Sequence, residues 1–282
     1  MVRATSRAFR CARSCLAVLV AVAPAFAGAA LSHRYSFNDG TARDSAGAAH
    51  GVAVNGPRIA NGQVNFANGA FVSDPLTGQY VDLPNQIART PALTLETWVT
   101  DRGSGTFAEI ASFGTGTAGE RQPGVANPAA GFIGTEYVAL IPSLNYNGQQ
   151  GLTGTVRNLA VVEQPLVAPP PLPRSAEHHV AYAVDFPTRT AALFLDGAEV
   201  GRRTISIDPS QFDQVNDWLG RSQWSPDALF NGSINEFRIY DTALSAAEVS
   251  ASFARGPDAV VPEPSTLCAG ASAGLLLLLR RR

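Results

Sequence analysis

The amino-acid sequence predicts an all-β sandwich, and two observations carry this prediction. Short runs in which apolar and polar residues alternate recur along the chain, and turn clusters rich in glycine and proline separate them. No internal repeat is visible. We expect one such domain at residues 28–256, because the segments on either side differ from it in composition.

The strands are predicted from alternation with a period of two. In residues 93–99 the odd-numbered positions share one face, whereas Thr94, Glu96 and Trp98 share the other. The sequence also predicts strands at residues 179–184 and 192–195. Asp196-Gly197 follows the second of these and predicts a type I′ hairpin turn, which needs positive φ at both central residues.

Later segments complete the predicted order of elements. Residues 230–240 predict a late strand after an Asn-Gly turn, and a short helix is expected to follow it. Ser245 and Glu248 have the spacing of a capping box, and the helix should end near Gly256. Residues 114–134 are expected to be a long loop, and the proline-rich residues 169–173 a stiff surface loop.

The N-terminus has the composition of a secretory signal. Four arginines precede an apolar run at residues 15–23, and Ala25-Phe26-Ala27 follows as a small-x-small pattern. We therefore expect a signal peptide at residues 1–27. A short anchor helix is the alternative, although the apolar run is well below the roughly 20 residues of a membrane span.

The C-terminus carries a second signal of three parts. Pro262, Glu263 and Pro264 exclude a continuous helix, residues 267–279 are apolar, and three arginines end the chain. The pattern predicts a short transmembrane segment whose C-terminus is cytoplasmic. The alternative is a helix buried in the domain, which the terminal arginines disfavour.

This order of parts at residues 257–282 resembles the PEP-CTERM sorting signal of Gram-negative bacteria. In that family the residues matching Pro262, Glu263 and Pro264 are the recognition motif. The resemblance implies that an exosortase, a membrane-embedded enzyme of organisms that make exopolysaccharide, is a partner. It also implies transient anchoring in the inner membrane, followed by delivery to the cell envelope, cell surface or extracellular matrix.

Removing the two terminal signals changes the character of the chain. All three cysteines, Cys11, Cys15 and Cys268, lie in these signals, so the predicted domain has no disulfide. The region between the signals, counted over residues 28–261, keeps 14 arginines and no lysine against 22 acidic residues, a formal charge of −8. Such an acidic domain is a poor partner for nucleic acid, whose phosphates require a basic patch.

The order of elements from His33 to Phe253 resembles the laminin-G-like, concanavalin A-like jelly-roll family. The match opens at residues 35–47 and continues through residues 80–83, 93–99, 178–182 and 195–197, closing at residues 232–244. The resemblance implies two antiparallel sheets packed face to face. It also implies a structural calcium where the first loop meets the late strand.

The residues that would hold this calcium are Asp39, Asp44 and Glu236. Asp39 and Asp44 lie in a turn-rich loop that offers carboxylate and carbonyl oxygens, the ligands calcium prefers. Asn235 stands where the family often has aspartate, which puts a second ligand on the late strand in doubt. The alternative is that Asp39 and Asp44 cap turns as Asx residues.

Several patterns argue against an enzyme. Related glucanases carry Glu-x-Asp-x-Glu along one strand, and the sequence has no such run, since Glu96 stands alone. His178 and His179 are adjacent on a strand and should point to opposite faces. No nucleophile elbow or phosphate-binding glycine loop is present in the sequence.

Binding is therefore the predicted activity. Trp218, Arg221 and Trp224 combine aromatic platforms with a polar group, which is typical of sugar sites, although packing in the core is the alternative. The leading hypothesis is a non-catalytic exported protein that binds extracellular carbohydrate or exopolysaccharide. The alternatives are a structural matrix or coat protein without a glycan ligand and a divergent glycoside hydrolase using Glu96 or Glu236.

Overall fold

The computed structural model describes residues 31–69, 77–121 and 132–259. The described residues form fifteen strands, a 3₁₀ turn at Pro209–Gln211 and one α-helix, α1, at Ala246–Arg255. The strands are β1 (Leu31–Tyr35), β2 (Val52–Val54), β3 (Arg58–Ala60), β4 (Gln63–Phe66), β5 (Tyr80–Leu83), β6 (Ala92–Asp101), β7 (Ala111–Gly116), β8 (Gly134–Tyr146), β9 (Gln149–Asn158), β10 (Val162–Ala168), β11 (Glu177–Asp185), β12 (Thr190–Leu195), β13 (Ala198–Thr204), β14 (Asn216–Leu219) and β15 (Gly232–Tyr240).

The strands form two antiparallel sheets. The eight-stranded sheet has the order β13-β12-β11-β6-β15-β4-β3, and β1 also pairs with β15. The seven-stranded sheet has the order β10-β9-β8-β7-β14-β5-β2. The predicted all-β, two-sheet jelly-roll sandwich with one short C-terminal helix is therefore confirmed.

The main hydrophobic core lies between the two sheets and follows from the alternation along each strand. Leu93, Leu95 and Val99 of β6 are fully buried in this core. Phe113 of β7 meets Phe237 of β15 edge to face across the sandwich, with ring centroids 5.9 Å apart. The polar positions of the same strands are thereby directed to the two outer faces of the sandwich.

Helix α1 covers the outer face of the eight-stranded sheet. Val249 of the helix packs with Phe194, Tyr240 and Leu244 in a second hydrophobic cluster. The predicted capping box is present, since the Ser245 hydroxyl accepts from the backbone N–H of Glu248 while the Glu248 carboxylate accepts from that of Ser245. Gly256 ends the helix with a φ of 81°.

The predicted turn at Asp196-Gly197 is also confirmed. Both residues have positive φ, 48° and 76°, as the type I′ geometry requires. The predicted loop at 114–134 needs a correction, because strand β7 continues to Gly116 and β8 begins at Gly134. Gly114 pairs with both β14 and β8, and the pairing with β8 continues to Gly116, which holds residues 114–116 in the sheet.

The predicted signal peptide at 1–27, the sorting motif at 262–264 and the apolar segment at 267–279 lie outside the described residues. Within residues 31–69, 77–121 and 132–259, no helix has the length and hydropathy to span a membrane.

The hairpin at Gly197 offers a test of how helix α1 rests on the sheet. An added Cβ at Gly197 would lie 2.8 Å from the Phe253 ring, whereas one at Gly148, in an equivalent hairpin, meets nothing within 4 Å. Both Gly→Ala changes should lower the free energy of unfolding by about 1 kcal/mol, because both positions have positive φ. Gly197→Ala should cost about 1 kcal/mol more, since it displaces the helix. Urea denaturation measures both, and equal losses would contradict this account.

Candidate functional site

A cavity of about 210 Å³ opens on the outer face of the seven-stranded sheet. Strands β8 and β10 form its floor, and the loops before β7 and after β14 form its walls. Its lining includes the aromatic side chains Phe107, Tyr137, Tyr146 and Trp224 and the carboxylates Glu109, Glu163 and Asp227. Aliphatic contacts come from Ile141 and Leu144.

Strand alternation places the floor residues of this cavity. Val138 and Leu140 of β8 enter the main core, so Tyr137 and Ile141 project to the outer face. Arg157 of β9 pairs with Tyr137 on one side and with Glu163 on the other. The register of three neighbouring strands thus brings an aromatic ring and a carboxylate together from distant parts of the sequence.

A chain of hydrogen bonds orients the indole of Trp224. Its Nε1 donates to the Tyr137 hydroxyl at 3.0 Å, and that hydroxyl donates to Oε1 of Glu163 at 3.2 Å. The Thr155 hydroxyl donates to the same Glu163 oxygen at 3.1 Å. The guanidinium of Arg157 lies 5.1 Å from the centre of the Trp224 ring. These contacts hold the indole in a defined position before any ligand arrives.

Gly134 makes this arrangement possible. A Cβ at this position would lie 2.7 Å from the Tyr137 ring and 2.8 Å from Nε1 of Trp224. Its carbonyl also accepts a hydrogen bond from Nε of Arg157 at 2.9 Å. The absence of a side chain at Gly134 therefore lets the two aromatic residues approach each other.

Glu109 is the most unusual side chain of the cavity. It is only 2% exposed, and its Oε2 has no hydrogen-bond partner in the structure. Burial raises the pKa of Glu109 well above its usual range, and the carboxylates of Asp227 and Glu163 raise it further. The hydroxyls of Ser112 and Ser222 offset part of this effect. Burial therefore favours the protonated form of Glu109.

Asp227 shows the same effect to a smaller extent. Burial raises its pKa to about 7, the Ser222 hydroxyl lowers it, and the charge of Glu163 raises it. Its Oδ2 accepts from that hydroxyl at 2.7 Å. The cavity thus contains groups that both donate and accept hydrogen bonds near neutral pH.

Of the three predicted sugar-binding residues, only Trp224 lines this cavity. Trp218 of β14 is fully buried, and its Nε1 donates to Oδ1 of Asp82 at 2.9 Å. The Arg221 guanidinium stacks on the rings of Trp218 and Tyr80, 4.1 and 4.7 Å from their centres. Arg221 also lines a much smaller pocket beside Trp224 and Asp227.

The predicted calcium ligands are not brought together. Asp39 is exposed and accepts from the backbone N–H and hydroxyl of Thr41, as an Asx turn does. Asp44 is buried and accepts from His33 and from the backbone N–H groups of residues 34, 46, 47 and 49. Among the described residues, no three His, Cys, Asp or Glu side chains are grouped so as to hold a metal ion.

Glu236 is paired with two arginine side chains. Its Oε1 accepts from Nε of Arg34 at 2.5 Å and from Nε of Arg238 at 2.7 Å. A carboxylate already paired with two guanidinium groups is a poor ligand for a further cation. The residues singled out for calcium therefore do not fit the ion in this structure.

Glu96 and Glu236 both lie on the outer face of the eight-stranded sheet, on the opposite side of the molecule from the cavity. Oε1 of Glu96 contacts Nε2 of His179 at 2.9 Å, and Oε2 accepts from the Tyr240 hydroxyl at 2.9 Å. His178 instead contacts Asp196, so the two histidines point to different neighbours, as their adjacency predicts. Neither glutamate lines the cavity.

The fold is a jelly-roll domain of two antiparallel sheets, with this cavity on one outer face. A family model described as the concanavalin A-like lectin/glucanases superfamily matches residues 76–250. The chain belongs to this superfamily. A search of curated proteins gave no match.

Solved structures with the same fold include carbohydrate-binding modules and parts of glycoside hydrolases. Domain 4 of AbnA, a GH43 extracellular arabinanase from Geobacillus stearothermophilus, in complex with arabinotriose, is 20% identical, with a TM-score of 0.57 over 79% of this chain and 98% of that one. The CBM40 of the Ruminococcus gnavus IT-sialidase, bound to α2,3 sialyllactose, is 17% identical, with a TM-score of 0.50 over 67% and 96%. A mutant Trypanosoma rangeli sialidase is 16% identical, with a TM-score of 0.50 over 80% and 33%. At these identities the similarity shows the fold alone.

The role of Asp44 leads to a prediction that also tests calcium. Asp44→Asn should lower the free energy of unfolding by about 2 kcal/mol, because an amide cannot accept all five hydrogen bonds. Asp39→Asn, at an exposed turn, should change it by less than about 0.5 kcal/mol. Calcium and a chelator should give the wild-type protein the same thermal midpoint. A calcium-dependent rise that Asp44→Asn abolishes would establish the site.

Proposed function

We propose that this domain binds extracellular carbohydrate at the cavity around Trp224 and does not catalyse a reaction on it. The observation that supports this most strongly is the composition of the cavity, in which oriented aromatic rings stand beside buried carboxylates. Sugar rings have apolar C–H faces that pack on aromatic side chains, and their hydroxyls donate to carboxylate oxygens.

The neighbouring folds are consistent with this proposal. Arabinotriose is named in the complex of the arabinanase domain, and sialyllactose in that of the sialidase module. Both are domains appended to larger enzymes, which favours binding over catalysis for the shared fold. The proposed location of the glycan rests on the residues of the described cavity rather than on these similarities.

The sequence lacks the arrangement of catalytic carboxylates that glucanases of this fold use. The sequence has no Glu-x-Asp-x-Glu run, and the two glutamates considered for hydrolysis, Glu96 and Glu236, are engaged in buried ion pairs. The glycans that are used to measure binding can also be used to test for hydrolysis by the carboxylates of the cavity. Release of reducing sugar that Glu109→Gln abolishes would replace the binding proposal with a glycosidase.

We also propose that the chain is exported, anchored transiently in the inner membrane, and sorted by an exosortase to the cell envelope, surface or matrix. The order of the three parts of the C-terminal signal supports this. The chain also leaves the domain at a fixed place, because Nη2 of Arg238 donates to the carbonyls of Pro257 and Ala259 at 2.6 and 3.1 Å. That exit lies on the face opposite the cavity, which leaves the cavity free while the tail is anchored.

The binding proposal predicts the effect of removing an aromatic ring. Tyr146→Ala and Trp224→Ala should each weaken glycan binding by about tenfold or more, because each removes a stacking surface. Tyr146 is 38% exposed, so this variant tests the site without disturbing the interior. Binding of the purified full-length protein to neutral and acidic glycans and to the host exopolysaccharide is measured on an array.

Trp98→Phe is the matched control, since Trp98 lies on the outer face of the other sheet against His179, at a ring distance of 4.5 Å. Its glycan binding should equal that of the wild type. Absence of binding to every glycan would reject the proposal, and concentration-dependent assembly without a glycan would favour the structural matrix alternative.

The sorting proposal predicts the fate of a motif variant. Glu263→Ala should leave the protein in the inner membrane with its tail intact, because the enzyme would no longer recognise the motif, whereas Ser265→Ala should be released like the wild type. Cell fractionation and the mass of the C-terminal peptide distinguish the two. Equal release of both variants would count against recognition of this motif.

A further inference from the structure

We infer that the cavity selects uncharged glycans and rejects anionic ones such as uronic or sialic acid oligosaccharides. This inference rests on the proposed carbohydrate binding and adds the chemical class of the ligand. Its basis is the set of charges that line the cavity and the partners they lack.

The first observation is that the lining carries acidic groups without basic ones. Glu109, Glu163 and Asp227 line the cavity, and among the described residues no arginine or histidine does so. Arg157 stacks on the Trp224 ring, but its Nε donates to the Gly134 carbonyl. An anionic sugar usually requires a guanidinium or ammonium partner, which this lining does not supply.

The second observation is that the hydrogen bonds to Glu163 and Asp227 come from uncharged hydroxyl groups. Glu163 accepts from the hydroxyls of Tyr137 and Thr155, and Asp227 accepts from the hydroxyl of Ser222. No salt bridge to any of the three is present in the described structure. The negative charge of Glu163, which raises the pKa of both Glu109 and Asp227, is thus not cancelled by an ion pair, and a ligand carboxylate beside it would be repelled.

The third observation is the unpaired oxygen of Glu109. Glu109 is one of the residues that line the cavity, but it is only 2% exposed, and its buried Oε2 has no hydrogen-bond partner. A sugar hydroxyl can donate to this oxygen or accept from it when the acid is protonated. The raised pKa values of Glu109 and Asp227 favour their protonated forms. Such groups suit a hydroxyl, which both donates and accepts hydrogen bonds, better than an ammonium group, which can only donate.

The apolar part of the lining favours the same class. Ile141, Leu144 and the ring of Tyr146 provide contacts for the C–H faces of a sugar ring. An uncharged ring keeps these faces and carries no charge that must be desolvated, whereas a carboxylated sugar would have to bury its charge in a lining that contains no basic side chain.

The test uses oligosaccharides of glucose, glucuronic acid and glucosamine of equal length, together with arabinotriose and α2,3 sialyllactose. Binding to the purified full-length protein is measured by calorimetry at neutral pH and low salt. We expect an uncharged oligosaccharide to bind at least about 100-fold more tightly than the anionic ones. Tyr146→Ala should weaken that binding and thereby assign it to this cavity.

Variants that change the charge of the lining distinguish electrostatic repulsion of anionic glycans from a difference in how well their shape fits the cavity. Glu163→Gln should raise the ratio of anionic to uncharged glycan affinity by about tenfold, because it removes one negative charge from the lining. Glu199→Gln, on an exposed part of β13 in the other sheet, should leave this ratio unchanged. An equal effect of both variants would overturn the inference.

The remaining outcomes are distinct from failure of the proposed function. An anionic glycan that binds as tightly as the uncharged ones, and is lost in Tyr146→Ala, overturns the selectivity while carbohydrate binding stands. Tighter binding of the glucosamine oligosaccharide also overturns it, in favour of a cationic ligand. Absence of binding to every glycan class rejects the proposed function itself, and the inference with it.

Discussion

The eight-stranded sheet depends on a buried network of charges on its outer face. Glu96 of β6 and Glu236 of β15 are paired with Arg238 and Arg34, and His179 of β11 completes the coordination of Glu96. Both carboxylates and Arg238 are essentially without exposure. Removing one member of such a network leaves an uncompensated charge in the interior, which is strongly destabilising. The network therefore fixes how β1, β6, β11 and β15 lie side by side.

This network also determines which surface is left for ligands. Helix α1 packs over it, with Phe253 against His179, and Arg34 and Arg238 hold the carbonyl of Pro257 as the chain leaves the helix. The outer face of the eight-stranded sheet is thus occupied by the protein's own C-terminal part. The seven-stranded sheet has no helix over it in the described structure, and its outer face holds the cavity.

Local signals in the sequence predicted local structure well. The alternation along β6, the Asp196-Gly197 turn and the Ser245 capping box each depend on a few neighbouring residues, and each is confirmed. The cavity depends instead on strand register and loop packing, which bring Glu109, Glu163 and Trp224 together from distant positions. Only the indole of Trp224 stood out in the sequence. Four of the five donors to Asp44 are backbone N–H groups, which residue types do not reveal.

A buried carboxylic acid does not by itself mark a binding site, and the sandwich contains an instructive contrast. Asp217 of β14 also has a pKa raised well above its usual range by burial, and its Oδ1 also lacks a hydrogen-bond partner. Its side chain is fully buried on a strand whose next inward residue, Leu219, belongs to the main core. Glu109 carries the same energetic cost but lines a cavity that opens to solvent beside oriented aromatic rings. In the proposed binding mode, a ligand hydroxyl that reached the Glu109 carboxyl group would relieve this cost, and such binding would stabilise the fold as well as hold the ligand.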